Sequence, residues 1–229
     1  MKRLLIVMAV LIAVLMVVGT ATAALLGIKG SYEGNRPDID FDNTGVITYN
    51  ADTNLFTLTA TDEKLALPDG TVYWLSGGDH TTTLTLQIYV DESGNLTGGV
   101  TGYDMVEKVT EGSVTIAGVT YDVGDVLLQA EVKAFGWGTG TGGVPAFDFL
   151  FDTISGGLVD QHLWPSPTPL TAAWVETGGA TYSWDSDFTL YNAKGDKMVT
   201  PVPPTLLLLG SGLLGFILLN RRRRVNILR

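Results

Sequence analysis

Apolar and polar residues alternate with a period of two through much of the chain between residues 24 and 200. The segments 84–90, 128–134 and 147–152 each place apolar side chains at every second position. This period is typical of β-strands that bury one face. No stretch of this body has a sustained 3.6-residue repeat with helix caps. The pattern therefore predicts an all-β domain.

Short runs rich in Gly, Asn and Asp separate the predicted strands, as they do in successive antiparallel hairpins. Many short strands joined in this way predict an antiparallel β-sandwich, jelly-roll-like in its arrangement, or a closed barrel. The sequence does not choose between these two architectures. The predicted turns are 51–54, which joins strands 46–50 and 55–60, and 91–95, 117–118 and 193–196.

Two stretches interrupt the alternation. Residues 136–145 contain five glycines around Trp137 and predict a loop or an irregular hairpin. Residues 164–169 contain three prolines, which lack the N–H groups of a central strand, and predict an extended surface connection. Trp74, which lies in an apolar run, is predicted to be in the core.

The N-terminus has the three parts of a secretory signal peptide. Lys2 and Arg3 precede an apolar stretch over residues 4–18, and the small residues Ala21 and Ala23 mark a cleavage site. Signal peptidase is expected to cut after Ala23, so residues 1–23 form a signal helix outside the mature fold. The alternative is an uncleaved N-terminal anchor.

The C-terminus combines prolines, an apolar run and a basic cluster. Pro201, Val202, Pro203 and Pro204 precede the apolar residues 206–219, and Arg221, Arg222, Arg223 and Arg224 follow them. A helix over 206–219 would reach roughly 21 Å, short of the roughly 30 Å hydrocarbon layer. Clustered arginines stay on the cytoplasmic side of a membrane, so the tail predicts a stop-transfer helix and an exported body.

This order of parts resembles the PEP-CTERM class of sorting tails over about the last 25 residues. The resemblance implies recognition by an exosortase, an integral-membrane peptidase of Gram-negative bacteria that secrete exopolysaccharide. Val202 stands where the namesake motif has Glu, which makes this a variant with a hydrophobic centre. The implied location is the cell surface or the extracellular space, after transient insertion in the inner membrane. A permanent tail anchor without processing is the alternative.

These features divide the chain into a signal peptide (1–23), an extracytoplasmic β domain (24–194), a linker (195–200) and a sorting tail (201–229). The segment from 24 to 200 holds seven basic and 24 acidic side chains, so its formal net charge is −17. Such a surface repels nucleic acid, which is excluded as a partner. The chain has no cysteine, so disulfides, thiol catalysis and Cys–zinc sites are excluded as well.

The sequence offers no catalytic motif, and we expect the protein not to be an enzyme. Its two histidines, His80 and His162, lie far apart and outside any metal-ligand spacing. A glycosidase needs only two carboxylates, however, and the many acidic residues leave a secreted hydrolase as the least favoured alternative.

Asp38, Asp40 and Asp42 occupy every second position, as at the start of a calcium-binding loop. The match then ends, because an EF-hand loop requires Gly and Glu where this chain has Asn43 and Tyr49. No resident cofactor is predicted, but these aspartates are weak candidates for a calcium site. The alternative is a strand that directs its apolar residues to the core and its three aspartates to solvent.

Tryptophans provide a second binding hypothesis. Trp137 and Trp164 lie in the irregular stretches, where an exposed indole can stack on a sugar ring. The alternative is that both fill the core. Together with the resemblance, these observations predict a structural or adhesive surface protein associated with exopolysaccharide or biofilm. A carbohydrate- or calcium-binding module is the alternative.

Overall fold

The computed structural model describes residues 24–32, 34–166, 170–179 and 181–200. The described chain is almost entirely β. Two short helices interrupt it, α1 (Ile28–Tyr32) and α2 (Gly157–Asp160), together with a 3-10 turn at Thr141–Gly143. The strands are β1 (Asp38–Asn50), β2 (Leu55–Thr61), β3 (Lys64–Ala66), β4 (Val72–Trp74), β5 (Thr81–Val90), β6 (Leu96–Gly99), β7 (Met105–Glu111), β8 (Ser113–Ile116), β9 (Val119–Asp122), β10 (Val126–Thr139), β11 (Pro145–Ser155), β12 (Thr171–Glu176) and β13 (Phe188–Val199).

Eight strands form a closed antiparallel barrel, in the order β13-β12-β11-β10-β7-β5-β2-β1. The barrel closes because β1 also pairs with β13, from Asp38 opposite Met198 to Tyr49 opposite Phe188. The predicted all-β class is confirmed. Of the two predicted architectures the structure has the barrel, in which every wall strand has a partner on both sides.

Aromatic side chains fill the barrel interior. Phe147, Phe149 and Phe151, which the alternation assigned to a buried face, are all inaccessible to solvent. Phe149 and Phe147 lie 6.0 and 5.4 Å from the ring of Phe56 across the barrel, centroid to centroid. Pairs at these separations add to the stabilisation that burial of the rings provides.

The remaining strands extend or flank the barrel. β3 pairs with the first residues of β1, and β4 pairs with β3 and ends that side of the sheet. β6 pairs with the end of β5, and β8 and β9 form a separate hairpin. Its predicted turn is confirmed, since Ala117 and Gly118 both have positive φ, as a tight hairpin turn requires.

The N-terminal segment, residues 24–32, packs against the outside of the barrel. Asp148 of β11 accepts hydrogen bonds from the backbone N–H groups of Gly27 and Ile28, at 2.8 and 3.2 Å. Lys29 forms an ion pair with Glu176 of β12, at 2.7 Å. Residues just after the predicted cleavage site therefore take part in the folded domain.

The predicted turn at 193–196 and the predicted linker at 195–200 both need correction. These residues belong to or directly follow β13, and those from Gly195 to Thr200 are buried. The polar residues misled the prediction because Asp196 and Lys197 are buried on opposite faces of a wall strand. The strand that closes the barrel therefore runs almost to Pro201.

The predicted terminal helices, over 1–23 and 206–219, lie outside the described residues. Within the part of the chain that the structure describes, no helix has the length and apolar character needed to cross a membrane.

Candidate functional site

Three aspartates meet on the outer face of the barrel, where β1 joins β13. Asp38, Asp40 and Asp196 each place a carboxylate oxygen within 4.8 Å of the other two. We call this group the seam aspartates. Two of them were predicted candidates, and the structure adds the third from the other end of the described chain.

The register of the strands explains why they meet. Asp40 lies opposite Asp196 in the β1–β13 ladder and opposite Lys64 in the β1–β3 ladder. Asp196 in turn lies opposite Trp174 of β12. Residues directly opposite on neighbouring strands share a face, so Lys64, Asp40, Asp196 and Trp174 form one row across the outer surface. Asp38 lies two residues before Asp40, on the same face.

The protein provides few hydrogen-bond donors and cations to the seam aspartates. Asp38 and Asp196 are each only 7% exposed, and Oδ1 of each has no hydrogen-bond donor among the described residues. The nearest cation to Asp38 is Arg36, whose Nε is 3.9 Å from Oδ1. Asp40, by contrast, forms an ion pair, because Lys64 Nζ lies 2.9 Å from its Oδ2. The indole N–H of Trp174 is also buried, and no residue that the structure describes accepts a hydrogen bond from it.

Burial and mutual repulsion disfavour ionisation at this site. Burial, and then the charge of Asp40, raise the pKa of Asp38 to about 6. Burial, with the charges of Asp40 and Asp38, raises the pKa of Asp196 to about 8. Both shifts have the direction expected for carboxylates that lack a sufficient counter-charge.

The seam aspartates line an open groove of about 380 Å³. Its lining carries five carboxylates and two ammonium groups, which leaves a formal excess of three negative charges. The groove therefore attracts cations and repels anions. Its charged residues are Asp38, Asp40, Asp42, Glu63, Asp196, Lys64 and Lys194.

Asp42, the third predicted candidate, is not one of the seam aspartates. Its side chain is exposed, and its Oδ1 accepts a hydrogen bond from Asn43. Asn43 has a positive φ, and the pairing of β1 with β13 shifts register just beyond Phe41, so the simple alternation ends there. The prediction missed Asp196 because it assigned that residue to a linker. An Asp next to a Lys in a segment rich in Val and Met was the available sign of a strand.

A second charged group lies inside the barrel. Lys197 Nζ is 2.6 Å from Asp62 and 3.0 Å from Glu107, and all three side chains are fully buried. The ammonium group also lies 5.0 Å from the centre of the Phe41 ring. Burial raises the pKa of Glu107 to about 8, against the opposing effect of Lys197. Burial lowers the pKa of Lys197, but the two carboxylates together raise it above its ordinary value.

The tryptophans differ in exposure from what the sequence predicted. Trp164 is 1% exposed and donates its indole N–H to Thr171, so it belongs to the core and offers no face to a sugar. Trp137 is partly buried, bonds to the carbonyl of Gly94 and packs edge-on against Trp184. Trp74 was predicted to be buried, but it is 59% exposed because β4 is an edge strand outside the barrel.

The predicted sorting and cleavage residues lie outside the described part of the chain. They are Ala21, Ala23, Pro201, Val202, Pro203, Pro204 and Arg221 to Arg224. The sequence matches no family model, and no curated protein or solved structure is significantly similar to it.

Proposed function

We propose that this chain is an exported, non-catalytic protein of the cell surface or extracellular matrix, sorted through its tail by an exosortase-like peptidase. Its barrel has a structural or adhesive role among exopolysaccharide. The observation that carries the proposal is the three-part tail of prolines, apolar run and arginines, which begins directly after the barrel. β13 ends at Val199, and Thr200 still bonds to the carbonyl of Leu170.

The described domain is consistent with a tail that serves only for delivery. Residues 24–32 dock on the barrel, and β13 completes its wall, so both ends of the domain meet the predicted sorting segments.

The test is the fate of the full-length chain in Gram-negative cells with and without an exosortase. We expect mass spectrometry of the surface form to find Ala24 at the N-terminus and a C-terminus among residues 201–204. In cells without the peptidase, the chain should keep Arg229 and stay with the membrane. Intact Arg229 on the surface form from exosortase-containing cells would contradict the proposal.

The exposed Trp74 favours carbohydrate binding as a second candidate function. Its indole lies on an edge strand beside Val72, which is 41% exposed, and such a platform can stack on a pyranose ring. Titration with a soluble uncharged β-glucan should quench indole fluorescence in the wild type and not in Trp74→Ala. Tyr191→Ala, which removes an exposed aromatic from β13, is the matched control. Equal quenching in all three proteins would exclude this site.

A further inference from the structure

Two carboxyl oxygens of the seam aspartates, Oδ1 of Asp38 and Oδ1 of Asp196, are buried without a hydrogen-bond partner among the described residues. Asp196 is more than nine-tenths buried, its side chain lines the groove, and its Oδ1 has no partner among the described residues. Desolvating such a group without compensation is costly, and native proteins rarely do so without a bound partner. Lys64 compensates Asp40 but is not paired with the other two aspartates.

The distances between the seam aspartates suit one metal ion. Calcium binds carboxylate oxygens at roughly 2.3–2.6 Å, so two ligands of one ion lie at most about 5.2 Å apart. The oxygens of Asp38, Asp40 and Asp196 all fall within 4.8 Å of one another. We propose that Asp38, Asp40 and Asp196 bind a calcium ion on the outer face of the barrel, across the β1–β13 seam.

The ligand set favours calcium over other common metals. All three ligands are hard carboxylate oxygens, and neither His nor Cys belongs to the group, as zinc sites normally require. The open groove leaves room for the waters that complete a coordination number of six to eight. Magnesium demands a near-ideal octahedron, which side chains fixed by strand register do not readily provide.

An ion at this position would affect the closure of the barrel. Asp38 and Asp40 lie on the first barrel strand and Asp196 on the last, so the ion would join the two strands whose pairing closes the barrel. An ion that binds only the folded state stabilises it in proportion to the logarithm of its concentration above the dissociation constant. Calcium sites of extracellular modules have dissociation constants of roughly 0.1–1 mM. The three aspartates belong to the barrel, so processing of the tail would leave the site unchanged.

Thermal unfolding of the full-length chain in a non-ionic detergent tests the site. We expect millimolar calcium chloride to raise the Tm of the wild type by several degrees relative to EDTA. Asp196→Asn should fold, with an unchanged or higher Tm in EDTA because a neutral amide needs no counter-charge in this buried position, and should lose the calcium response. Asp52→Asn makes the same substitution at an exposed residue outside the groove and should respond like the wild type.

Terbium luminescence tests the location independently of stability. Trp174 lies opposite Asp196 and lines the groove, so terbium bound there should emit when indoles are excited, and calcium should displace it. Trp174→Phe should reduce this emission while keeping the calcium-induced rise in Tm. Asp38→Asn should weaken terbium binding at least tenfold.

Three results would overturn the proposal. The first is a wild-type Tm that does not change with calcium. The second is terbium binding of equal affinity in the wild type, Asp38→Asn and Asp196→Asn. The third is an equal rise in Tm with magnesium at the same concentration, which would refute the assignment to calcium.

Discussion

At the scale of single residues, the interior of the barrel contains a charge arrangement that depends on pH. Lys197 faces two carboxylates, and the second of them, on Glu107, has no hydrogen bond of good geometry in the described structure. Because burial raises its pKa from 4.5 to about 8, the folded state holds a proton there that the unfolded state releases above about pH 4.5. Burial raises the pKa of Asp62 as well, against the opposing charge of Lys197, so both carboxyl groups beside this ammonium resist ionisation.

Glu107→Gln should therefore stabilise the protein at high pH. A carboxyl with a raised folded-state pKa contributes its stability below the unfolded pKa and loses it as the pH rises through the folded value. We expect the free energy of unfolding of the wild type to fall, relative to Glu107→Gln, between about pH 4.5 and pH 8. The relative loss should be on the order of a few kcal/mol, since one pKa unit corresponds to about 1.4 kcal/mol. Parallel pH profiles from urea denaturation of the two proteins would contradict this.

Gly195 provides a prediction about packing. A Cβ at this position would lie 2.4 Å from the carbonyl oxygen of Trp174 and 2.6 Å from the ring of Phe41. Because the backbone of Trp174 cannot move away without disturbing the strand pairing, Gly195→Ala should lower the free energy of unfolding by about 1–3 kcal/mol. Gly98→Ala is the control, because a Cβ there meets nothing within 4 Å, and it should change stability by no more than about 0.5 kcal/mol. Equal denaturant midpoints for the two variants would refute the steric argument.

At the scale of elements, alternation identified the wall strands well but failed where the strands are irregular. The predicted strands ending at Asn50 and beginning at Leu55 match β1 and β2. In β10, however, the register shift between Val132 and Ala134 turns Phe135 rather than Ala134 to the interior. A bulge adds one residue to one strand, and a prediction that assumes a fixed period of two cannot detect that extra residue.

The last strand shows a second limit of the sequence. A Lys and two Asp or Glu partners inside a barrel are invisible to hydropathy, because their burial depends on residues distant in the chain. Lys197 meets Asp62 across 135 positions. The same long range hid Asp196, the third seam aspartate, because it lies on the last barrel strand while Asp38 and Asp40 lie on the first.

Truncation tests the correction to the last strand. A chain of residues 24–194 should fail to fold, because it lacks the residues that pair with Asp38 to Phe41 of β1 and with most of β12. A chain of residues 24–200 should fold. Dispersed amide resonances in NMR spectra of the longer chain, and their loss in the shorter one, would be the expected result. If the shorter chain folds, residues 195–200 would be a linker, as the sequence predicted.

At the scale of the whole molecule, the sequence correctly indicated an all-β class but left sandwich and barrel open. The choice depends on whether the first and last strands pair, and local patterns carry no information about that pairing. The net charge, by contrast, follows from composition alone, because it does not depend on how the strands pair. The domain and its short N-terminal segment carry a formal charge of −17.

This charge predicts a response to salt. Self-repulsion destabilises a compact state of high net charge, and added salt screens it over about 10 Å at 0.1 M. In EDTA, we expect the Tm to rise as sodium chloride increases from about 0.01 to about 0.3 M. Potassium chloride should give the same rise, because screening does not distinguish the two ions. A Tm that falls with salt would mean that attractive ion pairs outweigh the repulsion.

The pairing of the first strand with the last has a consequence for biogenesis. A chain threaded through a membrane from its N-terminus delivers β1 early and β13 only when nearly all of the domain has crossed. Closure must then await the final segment, and the wall strands already outside stay incomplete until it arrives. Under the proposed export, this barrel would complete its fold only after translocation, and a cut within β13 would remove residues that pair with β1 and β12.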